Sequence, residues 1–177
     1  MPVDEVNDEA PDPRGALCGA LQEVMDLLTS LDAEQYQTTD LRGFASSIGA
    51  HVRHCIDHVD ALLLGLQEGE IRYDRRERGT RIEHELAFAI EAIKDRQEQI
   101  NGWPETVLGT DVRVAALVSA QSGEQVFSSS VEREALYVFH HTVHHLALMA
   151  AQAAQMDVAL DKTVGRAPAT IAADLEH

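Results

Sequence analysis

The sequence predicts an all-α protein, a four-helix bundle with a short β-hairpin inserted between the third and fourth helices. Three observations predict it. Four segments repeat apolar residues at helical spacing over several turns. Each begins or ends on residues that cap helices. One stretch between the third and fourth segments switches to a two-residue period around a glycine-containing turn. Amphipathic helices of this length bury their apolar stripes best against one another, which makes a bundle the natural architecture.

Residues 1–11 are polar and acidic and read as disordered. Asp12-Pro13 supplies an N-cap and a proline in the first turn, opening a helix with Leu17, Leu21, Val24, Met25, Leu28 and Leu31 on one face. A polar stretch with Thr38, Thr39 and Gly43 follows. The second helix runs from Ser46 or Ser47 to about Gln67, with Gly69 as terminator and a stripe formed by Ile48, Val52, Cys55, Ile56, Val59, Leu62, Leu63 and Leu66. Thr80 and Glu83 read as a capping box that starts a third helix, carrying Ile82, Leu86, Ala89, Ile90 and Ile93 and ending near Asn101-Gly102.

The hairpin spans Val107 to Phe127, with Val112, Val114 and Leu117-Val118 before a turn at Gln121-Ser122-Gly123. Ser129 and Glu132 read as a second capping box, and the fourth helix extends from about Ser130 to about Gln155. Gly165-Arg166-Ala167-Pro168 marks a loop with one further helical turn. The whole reads as one domain over residues 12–174. Leu175-Glu176-His177 reads as the start of an expression-tag scar, so His177 enters no chemical argument.

Charge and composition narrow the function. The 177 residues carry 30 Asp and Glu against 14 Lys and Arg, a formal charge of −16. That excess argues against nucleic acid and against anionic membrane surfaces as partners, because both are recognised chiefly through Lys and Arg. No apolar stretch approaches the roughly 20 residues of a membrane span. The two cysteines, Cys18 and Cys55, form no CxxC motif, so a reducing cytoplasm is the simplest compartment. A chain of this size needs no metal merely to stay folded, so any metal site would serve function.

The informative feature is histidine. Seven of the nine histidines fall in two clusters, His51, His54 and His58 on the second helix and His140, His141, His144 and His145 on the fourth. At about 100° per residue the first three sit within roughly 60° of one another along the edge of the apolar stripe. His141 and His145 share a face, as do His140 and His144. A pair from one helix and a third imidazole from its neighbour would make a three-histidine site with open positions, suited to Zn²⁺, Ni²⁺ or Fe²⁺. A ferritin-like di-iron site fits poorly, because no Glu-x-x-His pair is present. The desaturase box matched by His141-Thr142-Val143-His144-His145 belongs to polytopic membrane proteins, and a bis-histidine haem site is the remaining alternative.

These residues carry a resemblance. Ser47-Ile-Gly-Ala-His-Val-Arg-His54, followed by Arg133-Glu134 and by His141-Thr-Val-His-His-Leu-Ala-Leu148, resembles the DinB-like, or YfiT-like, metal-dependent superfamily, and Gly165-Arg-Ala-Pro-Ala-Thr-Ile171 resembles its closing segment. The resemblance covers about residues 14–171. It implies an up-down-down-up four-helix bundle, one divalent metal held by three histidines, and a homodimer. Motif by motif, the ligands it implies are His54, His141 and His145. His51, His58, His140 and His144 are additional, and one of them could replace a ligand, support one or move a proton. Where many relatives have His-Arg-Gly-Gln, this chain has His145-Leu146-Ala147-Leu148.

Three imidazoles leave the ion its full charge, so it can acidify a bound water or take a thiol as thiolate. The resemblance adds thiol-dependent transferases, an isomerase that uses a low-molecular-weight thiol, and hydrolases. The expectation is a metal-dependent transferase or hydrolase acting on a small molecule. The rival is a non-catalytic bundle that binds a metal or small ligand and dimerises. Glu134, two turns before His141, could orient a ligand or act as general base. Arg72, Arg75, Arg76, Arg78 and Arg81 either grip a substrate carboxylate or phosphate or form a solvated loop balanced by Glu70, Asp74 and Glu77. Cys55, inside the apolar stripe, reads as a core thiol.

Overall fold

The computed structural model describes residues 12–75 and 79–175. The expected disorder of residues 1–11 lies outside the described residues, as do Arg76, Glu77, Arg78, Glu176 and His177. The described chain is mostly helical, with seven α-helices and one three-stranded sheet.

Helix α1 (Pro13–Thr29) opens as the sequence predicts, with the Asp12 side chain accepting from the Gly15 amide at 2.8 Å. A short helix the sequence reading missed, α2 (Ala33–Gln37), follows a reciprocal capping box between Asp32 and Gln35. Helix α3 (Ile48–Glu68) is capped by Ser47, whose hydroxyl accepts from the Ala50 amide. It stops at Gly69, where φ of 75° favours glycine. The chain then extends into β1 (Glu70–Ile71). Ile71 lies so close to Gly65 that a Cβ there would collide with it, and this close approach seats the strand on the helix.

The predicted third helix is two helices, α4 (Arg81–His84) and α5 (Leu86–Asn101), separated by extended backbone at Glu85. Its predicted capping box does not form: Thr80 makes no side-chain cap, and the Glu83 carboxylate accepts from Arg53 and from the Gly79 amide. The Ile82 carbonyl, which an unbroken helix would use to accept from residue 86, accepts from the Tyr36 hydroxyl instead. A long-range bond from α2 thus ends α4.

The predicted hairpin is present as β2 (Asp111–Leu117) and β3 (Glu124–Ser130), antiparallel from Asp111↔Ser130 to Leu117↔Glu124. Strand β1 adds to it in parallel through Glu70↔Arg113 and Ile71↔Val114, giving the order β1-β2-β3. Helix α6 (Val131–Gln155) starts one residue later than its predicted box: Ser130 is the N-cap and accepts from the Arg133 amide, while Ser129 turns to Glu134. The final segment is a full helix, α7 (Pro168–Leu175), rather than a single turn.

Helix α1 packs against α5 and α6, and α3 packs against the same two. Between them lies a core that includes Leu17, Leu21, Leu28, Ile56, Leu62, Ile93, Val138 and Leu146, all nearly or fully buried. Cys55 is buried within the α3 stripe, and burial pushes its thiol up to about 12. Among the described residues no helix is long and apolar enough to cross a membrane.

Candidate metal centre

Helices α3 and α6 face each other with their histidines between them. The seam exists because each helix places imidazoles at the margin of its apolar stripe, so packing the stripes together brings the rings into contact. His54 Nε2 lies 3.0 Å from His141 Nε2. His51 Nδ1 lies 3.0 Å from His145 Nδ1. The His145 ring centroid is 4.7 Å from that of His54 and 4.6 Å from that of His141, so all four form one cluster.

His58 is the most enclosed of the set at 4% exposure. Its Nδ1 is 3.0 Å from the His54 carbonyl one helical turn earlier. A carbonyl only accepts, so Nδ1 bears the proton and Nε2 carries the in-plane lone pair, the tautomer a metal ligand needs. The ring lies nearly parallel to His141, at 4.0 Å and 20°. One ligand nitrogen of each of His54, His58 and His141 falls within 4.8 Å of the others. A tetrahedral ion with bonds of about 2.0–2.1 Å needs nitrogens about 3.3 Å apart. The trio therefore fits a divalent cation after small side-chain adjustment.

The electrostatics favour the neutral rings that a metal requires. Burial holds His145 down at about 3, and the neighbouring His141, His54, His51 and His144 add to the effect. Burial and His144 lower His51 in the same way. Both are neutral at pH 7 and competent to donate a lone pair. His144 and His140 are exposed; His144 touches the His145 ring, and His140 packs on Phe139. His84 is exposed on α4.

Of the residues the sequence nominated, His54 and His141 meet directly, His145 and His51 pair beside them, and His144 stands at the margin. The trio with the closest ligand atoms takes His58 from the additional histidines. Glu134 is fully buried and accepts from the Tyr73 hydroxyl at 2.8 Å, from Arg133 Nη1 at 2.6 Å and from the Ser129 hydroxyl. Burial, and then the charge of Glu134, raise the Tyr73 phenol far above its ordinary range, so it stays a donor.

Two tyrosines escaped the sequence reading. Tyr73 lies nearly parallel to His58 at 5.1 Å and 15°, and Tyr137 sits 5.9 Å from His141. Tyr137, one turn before His141, was within reach of a helical-spacing argument. Tyr73 was not, because β1 delivers it.

Two of the loop arginines are engaged with acids. Arg72 pairs with Glu70 and Glu124, and Arg81 pairs with Glu85 while covering the Phe88 ring. Asp74 accepts from the Leu117 amide. Arg75 lines a cleft of about 450 Å³ with Arg72, Arg96, Asp57 and Asp60. A second cleft, of about 670 Å³, opens beside Glu134 and is lined by Val114, Phe127, Ser128 and Arg133.

No solved structure matches the chain. A curated protein of Rhizopus delemar named FK506-binding protein 5 is 29% identical over 102 residues, which are 57% of this chain. The chain covers only 26% of that protein's length. The family model of the DinB superfamily matches residues 16–149, which include both histidine clusters and the hairpin between them, and the chain belongs to that superfamily.

Proposed function

We propose that the chain is a metal-dependent enzyme that holds one divalent cation, Zn²⁺, Ni²⁺ or Fe²⁺, in the histidine seam and acts on a small molecule as a transferase or hydrolase. The observation that carries this reading is the set of three ligand nitrogens, from His54, His58 and His141, within 4.8 Å of one another. His54 and His141 are common to this trio and to the superfamily motif. The third position lies between His58, which the geometry favours, and His145, which the motif favours, with His51 and His144 next to His145.

A cation held there would acidify a water molecule or bind a low-molecular-weight thiol as thiolate. The chain's own contribution is to keep imidazoles neutral by burial, and to flank the seam with the rings of Tyr73 and Tyr137. In the same reading α1, α3, α5 and α6 form the up-down-down-up bundle of the superfamily, and the protein works as a homodimer. One observation favours the rival, a bundle that binds metal without catalysis: Glu134, the one fully buried carboxylate among the described residues, already accepts from three donors.

The test is elemental analysis of the wild type beside His54→Ala, His58→Ala, His141→Ala and His145→Ala, after dialysis against a weak chelator and re-exposure to each metal. One equivalent in the wild type, lost in His54→Ala and His141→Ala, is expected. Whichever of His58→Ala and His145→Ala also loses it identifies the third ligand. A wild type that takes up no metal overturns the proposal.

A further inference from the structure

Glu134 is the one fully buried carboxylate among the described residues, and its partners come from three different places. Arg133 is its neighbour at the start of α6, Ser129 is the next-to-last residue of β3, and Tyr73 follows β1. The tyrosine is anchored on both sides along the chain. Ile71, two residues before it, is buried and paired with Val114, and Asp74, the next residue, accepts from the Leu117 amide at the far end of β2. The small sheet and the first turn of α6 thus converge on a single phenol. That phenol's ring lies almost parallel to His58, 15° out of plane.

The His58 hydrogen bond to its own helix fixes the tautomer but leaves the tilt of the ring about that bond to its neighbours. Two flat surfaces flank it, the His141 ring at 4.0 Å and the Tyr73 ring at 5.1 Å, and of these Tyr73 is the one tied to the sheet. The Tyr73 hydroxyl bond to Glu134 holds that second surface in place, because a charged acceptor makes a shorter and stronger bond than a neutral one. We infer that Tyr73, tethered by Glu134, is a positioning residue that sets the orientation of the His58 imidazole toward a metal ion, and that Glu134 acts through this tether rather than on substrate. The inference rests on the metal reading above and goes beyond it in giving the sheet a task.

Co²⁺ serves as the probe, since its visible bands report ligand geometry and a competing chromophoric chelator reports affinity. The full chain is compared with Tyr73→Leu, Tyr73→Phe and Glu134→Gln, with the thermal melt of each metal-free protein as a control for folding. Tyr73→Leu, which removes both the flat ring and the hydroxyl, is expected to weaken Co²⁺ binding about ten- to a hundred-fold and to shift the bands. Tyr73→Phe, which keeps the ring, is expected to fall between Tyr73→Leu and wild type, and Glu134→Gln to follow Tyr73→Phe. A folded Tyr73→Leu with wild-type affinity and spectrum overturns the inference and leaves the metal reading standing. Wild-type protein that binds no Co²⁺ overturns the metal reading itself. If Tyr73→Leu does not fold, Tyr73→Phe decides, because wild-type affinity and bands in that variant overturn the tether.

Discussion

Helices α1 and α3 both pack on α6, and they do so with different materials. The buried residues of α1 are all apolar: Leu17, Ala20, Leu21, Val24, Met25, Leu27 and Leu28. Those of α3 include Arg53 and His58 among the aliphatics, with His51 and His54 half-buried beside them. Arg53 is held by Asp57 at 2.6 Å and Glu83 at 3.1 Å, and His58 by its own helix. An apolar interface is favoured by area alone and tolerates small shifts. A seam of imidazoles has to satisfy each ring, so it stabilises less and specifies more. The α1 side accounts for the fold and the α3 side for the proposed metal site.

This contrast can be broken by substitution. Leu21→Ala in α1 is expected to destabilise the protein by about 3 kcal/mol through lost burial and a residual cavity. Urea unfolding measures the loss, and metal stoichiometry should stay at one. His141→Ala is expected to do the reverse, leaving the metal-free protein near wild-type stability. Saturating metal at about 100 times its dissociation constant raises wild-type stability by about 2.7 kcal/mol. The variant should show no such gain in a thermal melt, and a gain equal to wild type would remove His141 from the site.

Smaller effects sharpen the picture. Ser47→Ala removes the N-cap of the histidine helix and should cost about 1 kcal/mol in urea, without moving metal affinity by more than a few-fold. The two cysteines separate the regions by reactivity alone. Cys55 is buried, with its thiol pushed up to about 12, while Cys18 is part-exposed near Asn101. At pH 8 iodoacetamide should label Cys18 in the native protein and Cys55 only after unfolding, as mass spectrometry would show. Because the native Cys55 pKa lies above the ordinary 9.0, the folded state holds a proton that the unfolded state has lost between about pH 9 and 12. Its contribution is therefore complete below pH 9 and fades as pH rises through that window. Rapid native labelling of Cys55 at pH 8 would show that the α3 stripe opens to solvent.

How much of this was legible in the sequence depended on how local the cause was. Helices α1, α3 and α6 were readable because their stripes and their caps at Asp12, Ser47 and Gly69 act within a turn or two. The break at Glu85 was not readable, because it follows from a hydrogen bond reaching from Tyr36 to Ile82. The capping pattern at Thr80 and Glu83 misled because Arg53, thirty residues earlier, takes the glutamate. His54 and His141 were legible as facing residues. The place of His58 depended on a ring rotation set by the backbone, and that of Tyr73 on a two-residue strand too short to leave a periodic signal.

The parallel pairing of β1 with β2 carries one last consequence, for the order in which the molecule assembles. Glu70 can meet Arg113 only after the intervening α4 and α5 have folded back across the core. Pairings between distant parts of a chain form late, because closing the long loop precedes any gain from the contact. The helices can therefore associate before the strand beside Tyr73 is fixed. On refolding, recovery of helical circular dichroism should precede the environment of Tyr73, which makes the arrival of that tyrosine a mark of completion rather than of collapse.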